Sequence, residues 1–208
     1  MPASSRPTLI FDLGGVLVDW NPRYLYGKLF KGDDAAMERF LLEVCSPEWN
    51  LALDAGGTFE DGIAELVARH PEQRHLIEVY WTRWLEMLRG PIHGTVGIVE
   101  RLAKERVPLF ALSNWSRETF ALVRELPEYA FLARFERIFL SAEMGLVKPD
   151  PRIFQVMLED LGRAPDECLF IDDSLKNVLV ARELGIGTHH YVAPEALGDE
   201  LRGLGFRV

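Results

Sequence analysis

Four short segments of this chain carry side chains suited to acting on a phosphoryl group. Asp12 lies in Phe11-Asp12-Leu13-Gly14-Gly15-Val16, and Ser113 and Asn114 stand side by side. Lys148 lies in Gly145-Leu146-Val147-Lys148-Pro149, and Asp172-Asp173 close an apolar run. Brought to one crevice, these segments supply one hydroxyl, one lysine and three carboxylates. Carboxylates at close range raise one another's pKa, and a divalent cation removes that difficulty. Hard oxygen donors without His or Cys point to Mg²⁺ rather than zinc. Beside such a cation, Lys148 would help neutralise the oxygens of a phosphoryl group and Ser113 would donate a hydrogen bond to it. Gly14 and Gly15 would let backbone amides approach the same oxygens.

Each segment also has a plainer reading. A lone lysine before a proline is ordinarily surface charge, and Ser113-Asn114 could cap a following helix. Asp172-Asp173 could serve as an N-terminal helix cap with a favourable dipole interaction. The two cysteines, Cys45 and Cys168, are too few for a disulfide framework or a metal cluster, and Cys168 heads a run that predicts a buried thiol. The histidines at 70, 75, 93, 189 and 190 have no metal-ligand spacing and are expected at the surface or in the core.

The elements that would bring the segments together are legible as alternation. Apolar runs of four or five residues recur at Thr8–Phe11, Pro108–Leu112, Arg137–Leu140, Cys168–Ile171 and His189–Val192, as strands buried on both faces do. Helical spacing fills the gaps, as at Ile153, Val156, Met157 and Leu161. Asp150 before Pro151 reads as a helix start, and Gly162 and Gly185 read as helix ends. Strand alternating with helix predicts an α/β fold, a Rossmann-like parallel sheet sandwiched by helices. In such a sheet ligands bind at the carboxyl ends of the strands, where all four segments fall.

From about Asn21 to Gly90 the alternation stops. Helical stretches appear near Arg23–Phe30, Asp34–Cys45, Phe59–Arg69 and Pro71–Leu88, which predicts a small helical cap over 21–90 inserted after the first strand. The core would then comprise 1–20 and 91–208. The aromatic stripe around Tyr80, Trp81 and Trp84 reads as bundle core or as the cover of a ligand site. Trp49, Asn50, Asp54 and Trp81 are the cap residues that could set specificity.

The chain has 208 residues, enough for one large domain or a core with an inserted lobe, and folding should bury roughly 70% of its unfolded surface. Its 23 Lys+Arg and 32 Asp+Glu give a net charge of −9, which argues against nucleic acid as a partner because phosphate neutralisation needs a basic face. No run of about 18 apolar residues is present, which excludes a membrane-spanning helix. The start of the chain lacks a signal-peptide layout, so the expected location is cytoplasmic. Oligomeric state is not legible.

Taken in order, the four segments resemble the haloacid dehalogenase-like hydrolase superfamily, whose members are mostly Mg²⁺-dependent phosphatases. Asp12 falls on the nucleophile motif, Leu112-Ser113-Asn114 on the second motif, Gly145–Pro149 on the third, and Phe170-Ile171-Asp172-Asp173-Ser174 on the acidic fourth, with Asn177 as a polar partner. The resemblance implies that Asp12 attacks phosphorus to form an aspartyl-phosphate that water hydrolyses. It implies that Asp12, the Gly14 carbonyl and Asp173 ligate Mg²⁺ with Asp172 close by, and that Lys148 steadies the phosphoryl group and the nucleophile, with Ser113 and Asn114 in the substrate site. The expected substrate is a small phosphorylated metabolite.

The chain departs from the family pattern at Gly14, where most such phosphatases carry a second aspartate acting as general acid and base, a role worth roughly 10²–10⁴-fold. A subset with Asp-Leu-Gly here, including sugar 1-phosphate phosphatases, is similar at this motif, so a sugar phosphate is one expected substrate. Asp19 is a candidate substitute for the missing acid. Two other functions remain open at this point: a 2-haloacid dehalogenase, against which paired acids at Asp172-Asp173 speak, and a catalytically silent binding protein, which Gly14 alone supports.

Overall fold

The computed structural model describes residues 6–208. Five strands form one parallel sheet: β1 (Thr8–Phe11), β4 (Leu109–Ser113), β5 (Arg137–Leu140), β6 (Cys168–Asp172) and β7 (Gly187–His190). Their spatial order is β5-β4-β1-β6-β7, so β1 is central. Phe11 pairs with both Ala111 and Ile171, and the Asp12 amide donates to the Ile171 carbonyl at 2.8 Å. That register sets Asp12 level with Asp172, at the carboxyl edge where β4 ends in Ser113.

The apolar runs are continuous because both faces of the sheet are covered. Leu9 and Phe11 belong to one buried cluster and Ile10 to another, the two-residue alternation of a strand. The first cluster continues through Val99 and Leu102 of α6 (His93–Lys104) and Phe120 and Val123 of α7 (Arg117–Arg124). The second packs on Phe154 and Met157 of α9 (Pro151–Leu161) and Ala181 of α10 (Leu175–Glu183). Asp150 caps α9 by accepting from the Arg152 amide, and Gly162 ends it in the left-handed region, as the sequence predicts.

Between β1 and α6 the chain forms α1 (Arg23–Phe30), α2 (Asp34–Glu43), α3 (Pro47–Asp54), α4 (Phe59–Arg69) and α5 (Arg74–Thr82). Tyr26, Phe40, Trp49 and Tyr80 form an aromatic centre here, with Trp49 edge-on to Tyr80 at 4.9 Å. The entry and exit of this stretch are stitched together by a small antiparallel pair, β2 (Val18–Trp20) and β3 (Leu88–Pro91).

Three details differ from expectation. The helix expected over Pro71–Leu88 breaks at Arg83, passes through a 3₁₀ turn at Trp84–Met87 and ends in β3, because Leu88–Pro91 is claimed by pairing with β2. α3 was not expected, although Ser46 accepts from the Trp49 amide and Pro47 stands in its first turn. The last strand begins two residues earlier than its apolar run. Pairing of Gly187–His190 with Leu169–Asp172 fixes it, and Val192 is left 71% exposed. Cys45 and Cys168 are free and buried. Among the described residues no helix is long and apolar enough to cross a membrane.

Candidate active site

The site is assembled by three neighbouring strand ends and one loop. Leu9-Ile10-Phe11 end abruptly at Asp12, whose backbone the sheet holds while Leu13, Val16 and Leu17 bury the following turn. Asp12 Oδ1 accepts from the Leu13 amide at 2.7 Å. β6 delivers Asp172, which is wholly buried. Its Oδ1 accepts from the Ser174 amide, and Asn177 Nδ2 reaches both carboxylate oxygens at 3.1 and 3.0 Å. Asp173, the next residue, is exposed.

Lys148 joins these groups. It is 2% exposed, and its ammonium meets Asp12 Oδ2 at 2.9 Å, Asp172 Oδ2 at 2.8 Å and the Leu112 carbonyl at 2.8 Å. All three of its donors are therefore used. Burial opposes its charge, but the two carboxylates together outweigh burial and raise its pKa. The plainer reading of Lys148 as surface charge is thus excluded by its burial. Asn114 explains how the lysine is placed: its Nδ2 donates to the Lys148 carbonyl at 2.9 Å and its Oδ1 accepts the Lys148 amide at 2.8 Å. Asn114 clamps a backbone, a role its spacing could not reveal. Ser113 lies buried at the end of β4.

One carboxylate oxygen from each of Asp12, Asp172 and Asp173 lies within 4.8 Å of the others. A single ammonium offsets three carboxylates, which leaves the cluster negative. Burial first, then Asp172, pushes the Asp12 carboxyl up, although Lys148 pulls the other way; burial and Asp172 likewise raise Asp173. An all-oxygen donor set with excess negative charge fits a hard divalent cation.

Gly15 is needed for this geometry. It has φ +71°, and a Cβ there would stand 2.3 Å from Asp173 Oδ2. Its amide donates to the Val18 carbonyl at 3.0 Å, so it is not available to a phosphoryl group as the sequence reading expects. Gly14 differs: a Cβ built on it meets nothing within 4 Å, so the missing side chain leaves open space.

That space adjoins a cavity walled by Val18, Trp20, Asn50, Asp54, Trp84 and Trp115, with Gly14 in its floor. Asp19, between Val18 and Trp20 on β2, is not among the residues that wall the cavity and accepts from the Tyr24 hydroxyl at 2.8 Å. It is therefore not a substitute acid. Of the four cap residues, Asn50 and Asp54 reach the cavity. Trp49 is buried behind them with its indole N–H on the Gly62 carbonyl, and Trp81 stacks on Phe59 at 4.5 Å beside a separate groove.

Comparison with known proteins bears on this geometry. The family model for haloacid dehalogenase-like hydrolases matches residues 7–185. A predicted HAD-like family hydrolase from Porphyromonas gingivalis superposes with a TM-score of 0.73 at 28% identity, over 96% of this chain and 98% of that one. A HAD family enzyme of Bacteroides thetaiotaomicron, solved in complex with magnesium and inorganic phosphate, superposes with a TM-score of 0.66 at 27% identity, over 89% and 93%. The sesquiterpene phosphatase astK of Aspergillus oryzae is 26% identical over 94% of both chains. The chain spans far less of other curated relatives, 7% of the length in one case.

The ion cluster makes a stability prediction. In Lys148→Met, with EDTA present, two buried carboxylates lose their shared cation, and the variant should lose ~3–5 kcal/mol at pH 8. A carboxyl whose folded pKa is raised favours the fold below its unfolded pKa and loses that stability as pH rises through the folded value. The deficit should therefore shrink between pH 8 and pH 5, as read by urea unfolding at both pH values.

Proposed function

The chain belongs to the haloacid dehalogenase-like hydrolases, and from that membership we propose that it is a magnesium-dependent phosphomonoester hydrolase working through a phosphorylated Asp12. The observation that carries this reading is the convergence of Asp12, Asp172 and Asp173 around one buried lysine. Residues 21–90 act as the cap, and 1–20 with 91–208 as the core.

Asp12 Oδ attacks phosphorus, forming an aspartyl O–P bond as the bond to the leaving oxygen breaks. Water then attacks the same phosphorus, the aspartyl bond breaks, and inorganic phosphate leaves. Lys148 orients Asp12 and favours its ionised form against burial, because it pairs with Asp12 Oδ2 while Leu112 and Asp172 hold the ammonium in place. Ser113 donates to a phosphoryl oxygen, and Asn114 serves the substrate site by fixing Lys148. Asp12, Asp173 and the Gly14 carbonyl would hold Mg²⁺ with Asp172 beside them, and the bound ion supplies positive charge that neutralises phosphoryl oxygens.

The cavity bears on the leaving alcohol. Three tryptophans wall it, and apart from the partnerless buried indole N–H of Trp20 its polar side chains are largely committed to one another. Asn114 is bonded to Lys148, Thr119 Oγ1 accepts from the Trp115 indole N–H at 2.9 Å and shares a hydrogen bond with the Ser116 hydroxyl at 2.6 Å, and Asn50 holds Tyr80 and Asp54. A polyol would find few free partners here. We read the substrate as a small phosphorylated metabolite: the tryptophan walls and the likeness to a sesquiterpene phosphatase favour an apolar or flat alcohol, while a D-ribitol-5-phosphate phosphatase of Bacteroides thetaiotaomicron, 40% identical over 53 residues, supports a sugar or polyol phosphate.

Asp12→Asn should abolish turnover, by at least about 100-fold, while the thermal melt stays close to that of the parent. EDTA should inactivate the parent, and Mg²⁺ should restore it and raise its melting temperature, a shift that Asp173→Ala loses. In a substrate panel, kcat/KM for prenyl and aryl-alkyl phosphates should exceed that for hexose phosphates; the reverse order would refute the assignment of the cavity.

A further inference from the structure

Gly14 leaves the leaving oxygen without its usual proton source, and the structure holds another carboxyl where one is needed. Among the side chains that line the cavity over Gly14, Asp54 is the only acid. It comes from the last turn of α3, in the helical stretch, and not from the sheet that carries the nucleophile.

Asp54 is held firmly on both sides. Asn50, one turn earlier on α3, donates from Nδ2 to Asp54 Oδ2 at 3.0 Å. The orientation of that amide is fixed in turn, because Asn50 Oδ1 accepts from the Tyr80 hydroxyl at 2.8 Å. The backbone of Asp54 is anchored to the core: the buried Ser141 hydroxyl donates to the Asp54 carbonyl at 2.5 Å and accepts from the Trp115 amide at 3.0 Å. Gly56 extends the contact, since a Cβ there would lie 3.1 Å from the Ala142 carbonyl. A lone acid, pinned across an apolar cavity from the space that Gly14 vacates, has no role in the chemistry described so far.

We propose that Asp54 is the catalytic acid and base of this enzyme: it protonates the departing alkoxide when Asp12 is phosphorylated, and takes a proton from the water that releases the phosphate. The inference rests on the aspartyl-phosphate reading above. The proton count closes over one turnover. Asp54 gives its proton to the alcohol in the first step, becomes a carboxylate, and regains a proton from the attacking water in the second.

Two further observations agree with this assignment. Burial pushes the Asp54 carboxyl up to about 7, against a smaller opposing effect from the Ser116 backbone, and a catalytic acid serves best with a pKa near the working pH. The groups that face it do not compete for the proton. Tyr80 of α5 is a neutral phenol whose own pKa is raised by burial, and the Asn50 side-chain amide donates to Asp54 and cannot titrate. Asp12, Asp173 and Lys148 lie across Gly14 in the ion cluster.

The test is a leaving-group series with Asp54→Asn, whose amide is isosteric and whose carbonyl oxygen still accepts from Asn50 Nδ2. The parent should hydrolyse p-nitrophenyl phosphate and simple alkyl phosphates with a shallow dependence on leaving-group acidity. Asp54→Asn should lose about 10²–10⁴-fold on alkyl phosphates and less than about 10-fold on p-nitrophenyl phosphate, whose phenolate needs little protonation. Gly14→Asp added to Asp54→Asn should restore part of the alkyl rate, because the space above Gly14 is open. Equal losses on both substrates, or no loss on either, would overturn the role of Asp54 while leaving the covalent reading intact. A parent that hydrolyses neither phosphate in an Asp12-dependent way would overturn both. A thermal melt of each variant separates these outcomes from misfolding, and Asp54→Ser provides a second variant with the same expectation.

Discussion

Everything in this site follows from one electrostatic constraint: three carboxylates stand at the edge of a parallel sheet with a single buried ammonium among them. Burying an ion costs several kcal/mol unless it is paired and hydrogen-bonded, and Lys148 meets that condition by giving each of its three donors a partner. The rest of the local structure serves the placement of this lysine and its acids. Asn114 grips its backbone, Asn177 and Ser174 hold Asp172, and Gly15 gives Asp173 room. The net negative charge that remains is what makes the cluster a receptor for a divalent cation.

The parts of this arrangement that were legible in the sequence share a physical cause. A strand buried on both faces reads as an unbroken apolar run, so an acid or hydroxyl at its end, as at Asp12, Ser113 and Asp172, stands out. Asp150-Pro151 and Gly162 mark helix ends through fixed backbone requirements. The illegible parts depend on partners distant in sequence. β2 and β3 are three and four residues long, and Val18-Asp19-Trp20 carries no pattern until Leu88–Pro91 lies beside it. β7 is set by register against β6 and not by its own hydrophobicity. Asn114 reads as a substrate ligand until its two bonds to Lys148, 34 residues away, are seen.

The contrast between Asp19 and Asp54 makes the same point. Proximity to the nucleophile in sequence favoured Asp19, but its carboxylate lies outside the cavity wall and accepts from Tyr24. Asp54 is 42 positions from Asp12, and it reaches the cavity only because α3 is seated on Ser141. The chemistry is thereby divided: nucleophile, lysine and metal-binding acids lie on the sheet, and the proposed proton carrier lies on the helical stretch. Seating of α3 on the core would then govern both the closure of the cavity and the delivery of the proton.

The covalent step is the claim on which the functional account stands, and it can be read directly. Enzyme quenched in acid during turnover, reduced with borohydride and digested should yield a peptide in which residue 12 has become homoserine, the product of reducing an acyl phosphate. The account predicts that this conversion appears with substrate and Mg²⁺ and is absent in Asp12→Asn. Phosphate release at full rate with Asp12 unmodified, or with the label on another residue, would contradict it.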